Sequence, residues 1–371
     1  TMPKDSTQLR PHRMAVGLYD LVGEKITLRK SVQLDVSSAK TLVADLAGEK
    51  IADLLLLNDQ DLTYTKIRFD ERSINTLKNH LGKISDSLTR ALCWSAAWDM
   101  LRDGELSATD FIDIALAGIA SEQEITTLTI IAGQLATAVE LYSNPKKRDS
   151  ARLKVGNAFE QMIATAASGS DYQLQFVKSF TAFASSAEHN DLLKDFLAGK
   201  LSGLKVDPEM RWSLVIALTE RGLMDEAQLA EELKLDQTLT GKLSYQTALA
   251  ARPIQSAKQQ VWDEITTGDL STSQREAKVA GFVRPLHRPL LAAYVDPYFD
   301  LLLDTWGKKS YEVASKFVAG LYPIYLTTQE ILDKTNAWLD GVGMNGQAGL
   351  RRLVIEAKDS LERSLKVQQK D

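Results

Sequence analysis

Leu54-Leu-Leu-Leu-Asn58-Asp-Gln-Asp-Leu-Thr-Tyr64-Thr-Lys-Ile-Arg68-Phe-Asp70 is where the chain changes period. Before it, apolar residues alternate or run in short continuous stretches, as strands require. From Ser73 onward they recur at helical spacing through the roughly 300 residues that remain. The patterning predicts strands over 12–19, 26–36, 41–46, 54–57 and 62–69, with turns at Gly23-Glu24-Lys25 and Gly48-Glu49-Lys50. Leu28, Val32, Leu34 and Val36 fit a half-buried strand with an irregularity near Lys30. The run at 54–57 reads as a strand covered on both faces, and Leu62, Tyr64 and Ile67 as one face of the next.

The predicted fold is therefore mixed and mainly α. A small partial β-sandwich occupies residues 1–70, and an α-α superhelix of HEAT-like helix pairs occupies 71–371. Helix starts are marked by Ser107-Ala-Thr-Asp110, Ser121-Glu-Gln-Glu124, Ser273-Gln-Arg-Glu276 and Thr327-Thr-Gln-Glu330, and by Asp207-Pro208. About sixteen helices with short loops result, with no ankyrin- or tetratricopeptide-type period. The last helix puts Leu350, Leu353, Val354, Ala357, Leu361 and Leu365 on one stripe, which suits the cap of a helical stack.

Composition narrows the function classes. The net charge is −5 and basic residues are dispersed, with Lys146-Lys-Arg148 the longest cluster, which argues against nucleic acid. No run approaches about 18 consecutive apolar residues, so no membrane span is expected. Thr1-Met-Pro-Lys-Asp-Ser-Thr7 lacks a signal-peptide layout, and the lone Cys93 permits no internal disulfide, so a cytoplasmic location is expected.

Catalytic constellations are not visible. His12, His80, His189 and His287 are scattered, and Glu188-His189-Asn-Asp191 reverses the metal-binding His-Glu-x-x-His order and lacks its second histidine. Cys93 lies on an apolar helical face between tryptophans and reads as core. Gly341-Val-Gly-Met-Asn-Gly346 follows a helix rather than a strand and so is no phosphate cradle. The aromatic clusters Asp296-Pro-Tyr-Phe-Asp300 and Leu321-Tyr-Pro-Ile-Tyr325 read as core with wet hydroxyls. One loop stands apart: Arg284-Pro-Leu-His287-Arg288-Pro289 gathers two guanidinium groups that can clamp a carboxylate, unless they cap helix ends. Arg284 and Arg288 are the candidate substrate-binding residues.

The opening junction resembles the β-to-α junction of zinc aminopeptidases of the aminopeptidase N type. Leu88-Thr-Arg90-Ala-Leu-Cys-Trp94-Ser-Ala-Ala-Trp98, Arg211-Trp212-Ser-Leu-Val-Ile-Ala-Leu, Ala251-Arg-Pro253-Ile-Gln-Ser-Ala-Lys258-Gln-Gln-Val-Trp262, Asp296-Pro-Tyr-Phe299 and Leu350-Arg-Arg-Leu-Val-Ile-Glu356 resemble successive segments of the same family, in order, in its bacterial, actinobacterial-type form. The resemblance implies the C-terminal portion of such an enzyme. Its zinc ligands, on a His-Glu-x-x-His helix, and its amine-binding Gly-x-Met-Glu-Asn belong to a preceding catalytic domain, and neither motif is present in this chain. It thus implies no cofactor here, zinc in the parent's catalytic domain, and that domain and peptides as partners. The helical portion would be a bowl closing over the active site. The competing reading is a stand-alone helical-repeat scaffold binding a protein partner. A sandwich begun at His12 should lack one or two strands, leaving an open edge near residues 12–19.

Overall fold

The computed structural model describes residues 9–371. Three strands form one antiparallel sheet: β1 (His12–Val22), β2 (Lys25–Val36) and β3 (Leu54–Asp59), in the order β2-β1-β3. Gly23, at φ +58°, opens the two-residue β1–β2 turn, a backbone setting that costs glycine no Cβ clash. The irregularity foreseen near Lys30 is a bulge, since Leu18 pairs with Lys30 and Tyr19 with Leu28.

The β-sandwich expectation is corrected to this single sheet. Residues 41–46 form no strand; Ala44–Leu46 is a 3-10 turn and Leu42 is exposed. Residues 62–69 pair with no strand. The cause is the turn before them, where Asn58, Gln60 and Asp61 all take positive φ and steer the chain off the sheet. Asn58 fixes that turn, donating to the Thr63 carbonyl and accepting from the Thr63 amide. Leu62 and Tyr64 consequently face solvent, while Ile67 and Phe69 are buried. The open edge is also relocated: β1 is the central strand, so the edges belong to β2 and β3. Helices rather than a second sheet bury Leu54 and Leu56.

Two compact units divide the chain. One runs through Ala151 and includes Val367–Asp371; the other is Arg152–Lys366. The change of period at residue 70 lies inside the first, which adds α1 (Glu71–His80), α2 (Ser87–Arg102), α3 (Ala108–Ile119) and α4 (Ile125–Thr137) to the sheet. Arg90 and Glu122 form a buried ion pair here, 3.2 Å apart, with the Trp94 indole N–H donating to the same carboxylate. In the same unit Asp371 accepts from the amides of Thr109 and Asn144. Contrary to the expectation of no span, α4 and the π-helical turn after it, Ile125–Tyr142, have the length and mean hydropathy (1.3) of one. Leu128, Ile131, Leu135 and Val139 on it are fully buried against neighbouring helices, as on a core helix.

The second unit is helical. It comprises most of α5 (Arg148–Thr165), then α6 (Asp171–Phe183), α7 (Ala187–Leu197), α8 (Pro208–Thr219), α9 (Glu226–Leu235), α10 (Leu239–Ala250), α11 (Gln255–Thr267) and α12 (Thr272–Phe282). After the short α13 (Arg288–Leu291) come α14 (Val295–Lys308), α15 (Tyr311–Leu321), α16 (Gln329–Asp340) and most of α17 (Ala348–Lys370). The mainly α prediction with a small β part holds. Packing runs α6 on α8, α8 on α10 and α10 on α12, with α9 and α11 beside them. Gly281 lets α12 meet α10, because a Cβ there would lie 2.1 Å from the Thr247 carbonyl oxygen. The caps differ in detail from the sequence reading. Asp207 and Ser107 cap α8 and α3 as read, but α12 starts from Ser271, α16 from Thr328, and α4 has no side-chain cap.

Candidate binding groove

Helix α8 carries one wall of a groove in the second unit. Asp207 accepts from the Met210 amide and Pro208 opens the first turn, which fixes the helix phase. Glu209, Trp212, Ser213, Ile216 and Glu220 then recur at three- and four-residue steps, and all line a cavity of ≈ 600 Å³. Thr181 at the end of α6, Thr240 and Ser244 on α10, and Arg284 complete it. Trp212 is 5% exposed and belongs to a core cluster with Val215, Leu229 and Ala248, and its indole N–H donates to Asp236 at 3.0 Å.

The charged floor is ordered from behind. Arg221 donates to the carbonyls of Thr181, Ala184 and Ala217, joining the ends of α6 and α8, and to Glu220 at 2.7 Å. The other Glu220 oxygen lies 3.4 Å from Arg284 Nε. That contact is an ion pair without hydrogen-bond geometry, and Arg284 Nε is buried with no hydrogen-bond partner. His287 Nε2 lies 2.7 Å from the Glu220 carbonyl oxygen, which makes it the donor. Burial first, then the nearby Lys258, Arg284 and Arg221, push the His287 imidazole down to about 4.

Lys258 is the residue that sequence reasoning missed. It is fully buried, and its ammonium donates to the carbonyls of Ala250 (2.7 Å), Gly281 (3.1 Å) and Phe282 (3.0 Å). Burial pushes it down to about 7, with Arg284 adding repulsion and Glu220 opposing it. A signal existed: Lys258, Val261, Trp262 and Ile265 share one helical stripe, so a cation stands on an apolar face.

The two candidate arginines part company. Arg284 reaches the groove. Arg288 is not among the groove's lining residues; it donates to the carbonyls of Tyr325 and Pro285 and lies 5.7 Å from the Tyr325 ring centroid. Its guanidinium is bonded to carbonyls of a loop and of a 3-10 turn, and caps no α-helix through them.

Elsewhere, His189 is buried and accepts from the Ser185 amide, and burial lowers its basicity. His12 pairs with Thr63. Cys93 is buried, which pushes its thiol up and disfavours the thiolate. Gly343 packs against the Trp338 ring, and Tyr298 and Tyr322 are core with internal hydroxyl partners. Among the described residues no three His, Cys, Asp or Glu side chains are grouped to hold a metal. The donor set here does not fit zinc, and no chemical step is assigned to it. Beside its apolar wall the groove is lined by hydroxyls, one guanidinium and the carboxylates of Glu209, Glu220 and Asp236.

The family model described as the ERAP1-like C-terminal domain matches residues 54–363, most of the chain. The chain belongs to the ERAP1-like C-terminal domain family. It is also 40% identical, over 99% of its length, to a protein named Aminopeptidase N from Streptomyces lividans. It spans 43% of that relative, less than half. The resemblance to the C-terminal portion of an aminopeptidase N is thus borne out, and the groove falls within the segment that the family covers.

Proposed function

We propose that this chain is the non-catalytic C-terminal part of a zinc-dependent aminopeptidase that removes N-terminal residues from peptides. In this reading the helices form a bowl of HEAT-like pairs that closes over the active site and gates and binds peptide. The zinc belongs to the catalytic domain of the same polypeptide, which is the principal partner. The location is cytoplasmic, with neither nucleic acid nor membrane as partner.

The observation that carries the reading is the groove. Trp212 and Ile216 give it an apolar part, Thr181, Thr240 and Ser244 give hydroxyls, Glu209, Glu220 and Asp236 give carboxylates, and Arg284 gives a guanidinium. Such a lining suits an extended chain, with main-chain groups meeting hydroxyls and a side chain lying on the indole. The chain's own chemistry is then positional: it binds and orients substrate and leaves bond cleavage to the catalytic domain.

Calorimetric titration of the chain with an alanine- and leucine-containing octapeptide tests this. Binding is expected, and Ser213→Trp, which fills the groove from α8, should abolish it. No binding by the unsubstituted chain, or full binding by the filled variant, sinks the reading.

A further inference from the structure

We propose that Asp236 is the specificity-determining residue of the groove: its carboxylate receives a cationic group of the bound peptide, either a lysine or arginine head or the N-terminal amine. The inference rests on the groove being a peptide site and names the chemistry that the site selects.

The charged residues lining the groove are Glu209, Glu220, Asp236 and Arg284. Glu209 is held by Lys178 at 2.8 Å. Glu220 has Arg221 at 2.7 Å and Arg284 at 3.4 Å. Nearby cations are taken elsewhere: Arg211 on α8 pairs with Glu232, and Lys234, two residues before Asp236, pairs with Glu231. Among the described residues Asp236 forms no ion pair, so of the three lining carboxylates it alone lacks a cationic partner. Hydrogen bonds from the Thr238 hydroxyl, the Trp212 indole and the Thr238 amide, in that order of weight, hold it below the usual carboxylate range against a smaller desolvation, so it is charged at neutral pH.

The carboxylate is fixed before any ligand arrives. Oδ1 accepts from the Thr238 hydroxyl at 2.6 Å and the Thr238 amide at 3.2 Å, and Oδ2 accepts from the Trp212 indole N–H at 3.0 Å. Thr238 is set in turn by capping α10, its hydroxyl oxygen accepting from the Gly241 amide at 3.0 Å. Gly241 leaves the room, since a Cβ there would lie 2.4 Å from the Asp236 carboxyl carbon. The N-terminal end of α10 thus favours the negative charge but supplies no cation. An ionised carboxylate offers about four acceptor positions, and these three donors leave one of them, on Oδ2. Only a donor can fill that position, and a charged donor makes the stronger bond. The site is open to water, so the gain is that of an exposed ion pair, about two- to fivefold in affinity.

Three hexapeptides separate the sources: one acetylated and amidated with a central lysine, the same peptide with glutamine, and the glutamine peptide with a free N-terminus. Binding is measured by calorimetry to the whole chain and to the Asp236→Asn and Glu209→Gln variants. The unsubstituted chain should bind one cationic form about two- to fivefold more tightly than the neutral peptide. Preference for the lysine peptide assigns a side chain, and preference for the free N-terminus assigns the amine. Asp236→Asn keeps the shape and one acceptor, and should bring the preferred peptide down to the affinity of the neutral one. Glu209→Gln removes a lining carboxylate that Lys178 already holds, and should keep the preference. Equal binding of all three peptides by the unsubstituted chain overturns the proposal, as does a preference that survives Asp236→Asn or is lost in Glu209→Gln. If Asp236→Asn does not fold, the preference is measured in Glu209→Gln at rising salt. It should shrink between about 0.05 M and about 0.5 M, as an exposed ion pair does, and a preference that salt leaves untouched overturns the proposal. Failure of the unsubstituted chain to bind any peptide instead overturns the groove reading itself.

Discussion

Lowering the pH from 7 to 5 should destabilise the second unit through one imidazole. His287 is 3% exposed, and its Nε2–H is committed to the Glu220 carbonyl. Protonation would place a second N–H on Nδ1, which is buried without a hydrogen-bond partner, among Lys258, Arg284 and Arg221. The folded pKa is thus depressed from 6.5 to about 4. The unfolded chain binds the proton first, so the stabilisation is present above the unfolded value and is lost as pH falls through the folded one. Linkage between those two values gives a loss of about 2 kcal/mol at pH 5 and about 3 kcal/mol at pH 4. His287→Gln is the comparison, since glutamine can donate to the same carbonyl and cannot titrate. Urea unfolding followed by tryptophan fluorescence, at pH 7 and 5, reads the difference. Other groups whose titration folding shifts, Lys258 and carboxylates such as Glu122 beside Arg90 among them, are present in both proteins and cancel. The original protein should lose about 2 kcal/mol more than the Gln variant over that interval. Equal losses would mean that His287 is charged or solvated when folded, and would refute the description of the groove floor.

Other substitutions probe separate links. Gly281→Ala should cost about 1–3 kcal/mol by thermal unfolding, because the added carbon meets the rigid Thr247 carbonyl rather than a flexible side chain. Glu122→Ala leaves Arg90 buried and unpaired, and should cost about 3–5 kcal/mol in the first unit. Arg284→Gln should leave the melting temperature within about 1–2 °C while weakening peptide binding, since what ties its side chain to the fold is the 3.4 Å ion pair to Glu220, a carboxylate that Arg221 also holds. A large drop in melting temperature would place Arg284 with Arg288 as structural.

Helix was legible in this sequence because its signal is local. Asp207-Pro208 and Ser107 mark starts that the structure keeps, and the apolar stripe of Leu350, Val354 and Leu361 is buried as read. The two lost strands failed for a non-local reason. Residues 41–46 and 62–69 alternate well enough, but a strand needs a partner edge, and the left-handed turn at Asn58, Gln60 and Asp61 carries the chain off the sheet. The candidate site was half legible. Arg284 and Arg288 are similar in sequence, and what separates them is which carbonyls fold back within reach, information held by Tyr325 and Glu220 far along the chain. Lys258 could have been singled out from its stripe, but its three acceptors lie on two other helices' ends and no spacing rule reports them.

The central claim is that this chain positions peptide and does no chemistry, and one assay addresses it directly: hydrolysis of a chromogenic leucyl amide by the chain alone with zinc supplied. The account predicts no turnover and no retained zinc after dialysis. Turnover that a chelator abolishes would contradict it, and would mean that the chain assembles a metal site of its own.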